Sequence, residues 1–123
     1  MKILLAIGAG SFIGGVGRYL LSQLIQTKSL THFPVGTLVV NIVGCFLIGL
    51  VFGLVAKGTI SDEWRLFLAT GVLGGFTTFS AFSYESITLL QNGQFGQAIV
   101  YILASVLLGL LATFAGLWLM RLV

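Results

Sequence analysis

Four stretches of the sequence are long and apolar enough to cross a lipid bilayer as helices. The hydrocarbon core of a bilayer is about 30 Å thick, and a helix needs about 20 predominantly apolar residues to span it. The stretches cover approximately residues 3–25, 35–56, 62–90 and 97–120, and the connections between them are short. The sequence therefore predicts an all-α membrane protein with four transmembrane helices in a single transmembrane domain, residues 1–123.

The composition identifies lipid as the solvent of this chain and excludes several classes of function. It is 58% hydrophobic and 7% charged, whereas a soluble domain carries about 25% charged residues. Cys45 is the only cysteine, so an internal disulfide is impossible. No catalytic triad, metal-ligand cluster or phosphate loop is visible, and the lone His32 lies in a loop, so no enzyme is expected. The net charge of +3 comes from scattered residues and does not indicate nucleic-acid binding.

The basic residues give a weak prediction of topology. One side of the membrane would carry Lys2, Lys57, Arg65 and Arg121, and the other would carry Lys28 and, toward that end of its span, Arg18. Lys and Arg favour the cytoplasmic side, so the first side is expected to be cytoplasmic. The bias is mild enough to permit insertion in both orientations.

Small residues recur at helical spacing, as in Gly10 and Gly14 of the first span and Gly49 and Gly53 of the second. Steps of four place such residues on one helix face. In lipid no hydrophobic effect drives helices together, and small residues allow their backbones to approach closely. These faces predict close helix packing, and a bundle of four short spans is expected to form an oligomer.

Three polar side chains inside the spans are candidates for function, because such groups are costly in a membrane. Arg18 either marks a functional site or reaches the interface with its long side chain. Glu85 lies near one end of its span and has the same two interpretations. Asn41 has no charge nearby, and its amide either bonds a neighbouring helix or lines a wet path.

The third span has a sequence that disfavours an uninterrupted helix. Gly74-Gly75 is followed by Phe76 and then by β-branched Thr77 and Thr78, and we predict a break near residues 74–78. The alternative is a kinked, glycine-rich helix. A broken helix at membrane depth exposes carbonyls that bind cations and N–H groups that bind anions. Phe79 and Phe82 share a face just beyond, and the positive edge of a phenyl ring can touch a small anion.

Three motifs in this sequence resemble those of the small bacterial fluoride channels called Fluc or CrcB. The motifs are Gly14-Gly-Val-Gly-Arg18-Tyr19, Gly36-Thr37-Leu-Val-Val-Asn41-Ile-Val-Gly44 and Gly74-Gly75-Phe-Thr77-Thr78-Phe79-Ser80-Ala-Phe82-Ser83-Tyr-Glu85. The resemblance covers essentially the whole chain. It implies a passive channel of the bacterial inner membrane that exports fluoride. It also implies an antiparallel, dual-topology homodimer with two fluoride pores and a structural Na⁺ at the dimer centre.

The resemblance further implies roles for particular residues. The pore would be lined by Phe79, Phe82, Asn41, Ser80, Thr78, Tyr101, Ser105 and Thr113. Arg18 would lie near a vestibule and Glu85 near a pore end. The backbone carbonyls of Gly74 and Thr77 would bind the sodium ion. Gly109 interrupts the series of hydroxyls in the fourth span.

Two other functions remain open at the level of the residues. A proton-coupled exporter of the small four-helix type requires a carboxylate reachable from both sides, and Glu85 is the one candidate. A scaffold subunit that transports nothing would account for the glycine faces, although not for Asn41 or the Thr-Thr-Phe-Ser segment. The partners expected in every case are membrane lipids and a second copy of the chain.

Overall fold

The computed structural model describes the whole chain, Met1–Val123, and it is all-helical. Four helical stretches, Lys2–Lys28, Val35–Ala56, Asp62–Gln91 and Phe95–Leu122, are long and apolar enough to cross a membrane. The first two are helices α1 and α2, and the fourth is a single helix of 28 residues. The predicted architecture of four long apolar helices is confirmed.

The third stretch consists of several segments. It begins with α3, Asp62–Arg65, continues as a π-helical segment, Leu66–Leu73, and reaches the short helix α4, Gly74–Phe76. Helix α5 then runs over Phe79–Gln91, and the last helix, Phe95–Leu122, is α6. The π-helical segment is a feature that the sequence did not predict.

Two residues between α4 and α5 have extended backbone. Thr77 has φ −90° and ψ 155°, and Thr78 has φ −150° and ψ 121°. Gly74, by contrast, is helical, with φ −62° and ψ −39°. The paired glycines on which the sequence prediction depends are therefore themselves helical, and the extended residues are the β-branched pair that follows.

Polar side chains define the ends of the third stretch and of α5. The Trp64 N–H donates to Ser61 Oγ at 3.3 Å, which caps α3, and Asp62 and Glu63 occupy the first turn. Carboxylates are favourable there because the N-terminal end of a helix carries positive partial charge. In the same way the Ala81 N–H donates to Thr78 Oγ1 at 3.2 Å. Thr78 is thus both an extended residue and the N-cap of α5.

The helices pack in two close pairs, α1 against the third stretch and α2 against α6. A Cβ atom added at Gly10 would lie 2.7 Å from the Phe67 carbonyl oxygen, and one at Gly75 would lie 2.6 Å from that of Ser11. Between α2 and α6, a Cβ at Gly49 would overlap the Thr113 carbonyl. The glycine faces predicted from spacing therefore lie where backbones touch.

Most large apolar side chains point outward, as expected for helices surrounded by lipid. Leu4, Phe12, Leu110 and Phe114 are each more than 60% exposed within the isolated chain. The buried core is small, and Val40, Ala98 and Tyr101 are its completely buried members. Tyr101 is the one completely buried residue with a polar side-chain group. Its hydroxyl belongs to the candidate site.

Candidate functional site

The amide of Asn41 bonds both backbone groups of Thr78. Thr78 N–H donates to Asn41 Oδ1 at 2.9 Å, and Asn41 Nδ2 donates to the Thr78 carbonyl at 3.0 Å. Asn41 lies on α2, so these two bonds connect that helix to the extended residues of the third stretch. The sequence left two interpretations of Asn41 open. The structure shows one of them, in which the amide bonds a neighbouring helical stretch.

These bonds change the pairing of the backbone around Thr78. In a continuous helix each N–H donates to the carbonyl four residues earlier, so the Thr78 N–H would bond Gly74 and the Ala81 N–H would bond Thr77. Here those donors bond Asn41 and the Thr78 hydroxyl instead. The carbonyls of Gly74 and Thr77 consequently lack their helical donors.

Arg18 bonds a third carbonyl in the same region. Its Nε donates to the Gly75 carbonyl at 3.2 Å, and the side chain is half-buried. The only ion pair in the chain joins Arg65 to Asp62 at 3.6 Å, near a helix end. Arg18 and Glu85 are therefore not paired with each other.

A cavity of about 370 Å³ adjoins the extended residues. Its lining combines aromatic rings, hydroxyls and the Asn41 amide. The lining residues are Asn41, Gly44, Cys45, Ile48, Ala69, Leu73, Gly74, Thr77, Thr78, Phe79, Phe82, Ser105 and Val106. Six of the predicted pore and sodium positions on the third stretch and α2 thus meet at one cavity, and Ser105 joins them from α6.

The two phenylalanines of this cavity differ in exposure. Their ring centroids lie 5.5 Å apart with the planes inclined at 52°. Phe79 is 78% exposed within the isolated chain, whereas Phe82 is half-buried and its ring lies 5.3 Å from that of Tyr101. A row of three rings therefore leads from the open side of the cavity to the buried tyrosine.

Glu85 lies at the far end of this row and accepts two hydroxyl hydrogen bonds. Thr37 Oγ1 donates to one carboxylate oxygen and the Tyr101 hydroxyl to the other, each at 2.8 Å. Hydrogen bonds to an ionised acceptor are stronger than neutral ones. Thr37 belongs to the candidate site, although the sequence analysis quoted it within a motif without assigning it a role. Its position four residues before Asn41 on α2 is the signal that could have identified it, because that spacing places both on one helix face.

A second, more polar depression of about 450 Å³ lies beside Glu85, near the turn between α5 and α6. It is lined by His32, Pro34, Tyr84, Glu85, Thr88, Leu89, Asn92 and Gln94. Glu85 thus lines this depression near the helix ends, whereas Phe79 and Phe82 line the first cavity. The Glu85 carboxylate lies between the depression and the two phenyl rings.

The remaining predicted residues occupy distinct positions. Ser80 is exposed, and its hydroxyl lies 3.2 Å from that of Thr78. Thr113 is half-buried on α6 and lines neither cavity. No group of three or more His, Cys, Asp or Glu side chains is placed to hold a metal ion.

Comparison with known proteins gives consistent matches over nearly the whole chain. The family described as "CrcB-like protein, Camphor Resistance (CrcB)" matches residues 5–117. A "Fluoride-specific ion channel FluC" from Rhizobium meliloti is 50% identical over 122 residues, which cover 98% of this chain and 98% of the relative. One of the same description from Thermus thermophilus is 48% identical over 116 residues, covering 94% and 93%.

Proposed function

The chain belongs to the CrcB family, and on this basis we propose that it is a fluoride-specific ion channel that spans a bacterial membrane several times. It is not an enzyme. The observation that carries the proposal is the cavity in which two phenyl rings, three hydroxyl side chains and an amide meet beside an extended backbone segment. The family assignment supplies the identity of the ion, and the groups that line the cavity are of the kind that can bind a small anion.

The groups around the cavity suit a small anion that has lost much of its water. Asn41 Nδ2 carries two N–H bonds and donates one to Thr78, which leaves the other for an ion. The hydroxyls of Thr78 and Ser105 in the cavity lining are further donors, and that of Ser80 lies 3.2 Å from the Thr78 hydroxyl. The positive edges of Phe79 and Phe82 add weak attraction. Several weak contacts favour conduction, because an ion that binds too tightly does not leave.

The path would continue from Phe82 past Tyr101 to Glu85. Tyr101 and Thr37 direct their hydroxyls at the carboxylate, so an anion arriving there competes with Glu85 for those donors. The depression around His32 and Asn92 would form the mouth beyond. Transport along this path is passive. In acidic surroundings HF enters the cell and dissociates, and the membrane potential drives fluoride back out.

The functional unit would be an antiparallel homodimer. Phe79 is 78% exposed, and Gly74 and Ser80 are also exposed in a single chain. A second copy would cover these groups and close the cavity into a pore. The mild charge bias between the two sides permits the opposite insertion that such a dimer needs.

A sodium ion at the dimer centre fits the backbone of the third stretch. The Gly74 and Thr77 carbonyls lack their helical donors, and two copies of the chain would present four such oxygens. Backbone carbonyls are suitable ligands for alkali cations, as in channel filters and transporter sites. When bound, the ion would supply positive charge that holds the two broken helices together. Arg18 would add positive charge at a vestibule nearby.

Fluoride efflux from liposomes tests the proposal. Purified protein is reconstituted in vesicles loaded with potassium fluoride or potassium chloride, and the external anion is followed after the potassium permeability is raised. Rapid fluoride efflux with negligible chloride efflux is expected, at equal pH on both sides. Equal efflux of both anions, or none above protein-free vesicles, contradicts the channel. Fluoride efflux that requires a pH gradient identifies the proton-coupled alternative.

A further inference from the structure

We propose that Asn41 is a positioning residue that keeps the third stretch interrupted and thereby frees the Gly74 carbonyl for a cation. The inference rests on the proposed sodium site and adds a coupling between that site and the pore. The same amide that offers one N–H to the pore holds Thr78 with its other groups. Anion path and cation site would therefore share one side chain.

The geometry supports this coupling because Asn41 Oδ1 accepts the Thr78 N–H, the donor that would otherwise complete the helix. The Thr78 N–H has two possible partners, the Gly74 carbonyl in a continuous helix or Asn41 Oδ1 in this structure. Thr78 lines the cavity, so without the amide oxygen its N–H would bond either water there or the Gly74 carbonyl, and only the Gly74 bond restores a helical backbone. Removing the amide oxygen therefore favours return of the Thr78 N–H to Gly74.

Two neighbouring contacts fix the position of Thr77, as the Asn41 bonds fix that of Thr78. The Thr77 hydroxyl donates to the Leu73 carbonyl at 2.9 Å, and its methyl group lies against Gly44. Gly44 is three residues from Asn41 on α2, so one face of that helix contacts both extended residues. Helix α2 therefore determines where the third stretch is interrupted.

Gln26 offers a matched control elsewhere in the chain. Its Nε2 donates to the Phe33 carbonyl, and its Oε1 accepts from the Gly36 N–H, each at 3.1 Å. Gln26 thus holds backbone with both ends of its amide, as Asn41 does, but at the turn between α1 and α2. Its removal should destabilise the protein without affecting the cation site.

The first experiment measures the backbone conformation of Thr78. Selective ¹³C labelling of threonine gives the Cα and Cβ chemical shifts of Thr78 in detergent micelles. We expect extended shifts in the unsubstituted protein and in Q26A, and helical shifts in N41A. Extended shifts in N41A, or helical shifts in Q26A, would overturn the proposal.

The second experiment measures Na⁺ binding through its effect on thermal stability, without measuring transport. The melting temperature is followed as Na⁺ replaces N-methylglucamine at constant ionic strength. Because one hydrogen bond is redirected, N41A should raise the Na⁺ concentration of half-maximal effect by about tenfold. Q26A should leave that concentration unchanged, even where it lowers the melting temperature itself.

The outcomes separate this inference from the proposed function. An unchanged Na⁺ midpoint in N41A, or an equal shift in Q26A, would contradict the coupling. Absence of any Na⁺ effect in the unsubstituted protein also overturns it. Fluoride efflux decides the channel function independently, because a protein that conducts fluoride without responding to Na⁺ refutes the coupling alone.

Discussion

The substitution Gly44→Ala tests whether α2 shapes the interrupted backbone. A Cβ at this position would overlap Thr77 Cγ2, while its contact with the Phe76 ring, at 3.4 Å, is ordinary. Thr77 cannot simply rotate, because its hydroxyl donates to the Leu73 carbonyl. The new methyl group therefore either breaks that hydrogen bond or displaces the extended backbone.

The expected cost follows from the two ways of relieving the overlap. Overpacking of a well-packed site costs about 1–3 kcal/mol, and the lost hydrogen bond costs about 1 kcal/mol. Replacing a helical glycine by alanine returns about 1 kcal/mol through helix propensity. The net destabilisation should be about 1–3 kcal/mol. Fluoride efflux should fall as well, since Thr77 and Thr78 line the cavity.

A double substitution provides the decisive comparison. Thr77→Ser keeps the hydroxyl and removes the methyl group that Gly44→Ala would strike, so the double variant should recover both stability and efflux. The expected coupling energy is about 1–2 kcal/mol, within the range for residues in contact. Stability is measured by titrating SDS into detergent micelles, with Gly15→Ala as control because no atom lies within 4 Å of its added Cβ. Additive effects of the two substitutions would refute the reasoning.

Three further predictions follow from single residues. Phe79→Ile should lower fluoride efflux at least about tenfold while leaving the fold intact, because the ring is 78% exposed within the chain; a matching loss of folded protein on size exclusion would argue against a pore role. Tyr101→Phe removes a buried donor to Glu85 and should cost about 1.5–3 kcal/mol in SDS titration; an unchanged midpoint would show that the bond contributes nothing. Gly14→Ala places a Cβ 2.9 Å from the backbone nitrogen of Phe76 and should destabilise by about 2 kcal/mol relative to Gly15→Ala; equal midpoints would contradict the packing.

The four spans could be predicted because length and hydropathy decide them. Helix α2 begins at Val35, directly after Pro34, and ends at Ala56, as the sequence predicts. Helix α1 extends to Lys28 rather than Ile25, because apolar runs mark the membrane and polar residues such as Gln26 can continue a helix beyond it. Boundaries outside the hydrocarbon are therefore less predictable than the spans themselves.

The details of the third stretch could not be predicted, because they depend on contacts between helices. The π-helical segment before Gly74 has no local signal in its residues. Thr77 and Thr78 are extended because α2 supplies Asn41 and Gly44, and the paired glycines alone would not select that position. Sequence reasoning identified Asn41 as a polar group that needs partners. Only the coordinates reveal that both partners belong to one residue.

The interrupted third stretch has a consequence for how the chain is made. Its pieces are short, with 13 residues in α5, and the extended residues between α4 and α5 have backbone groups that need partners in a membrane. The side chains that bond its irregular backbone, Arg18 and Asn41, belong to α1 and α2. Both helices are synthesised before the third stretch, so the side chains that bond its irregular backbone precede it in the chain. These contacts therefore need no residue of α6, the last helix to be made.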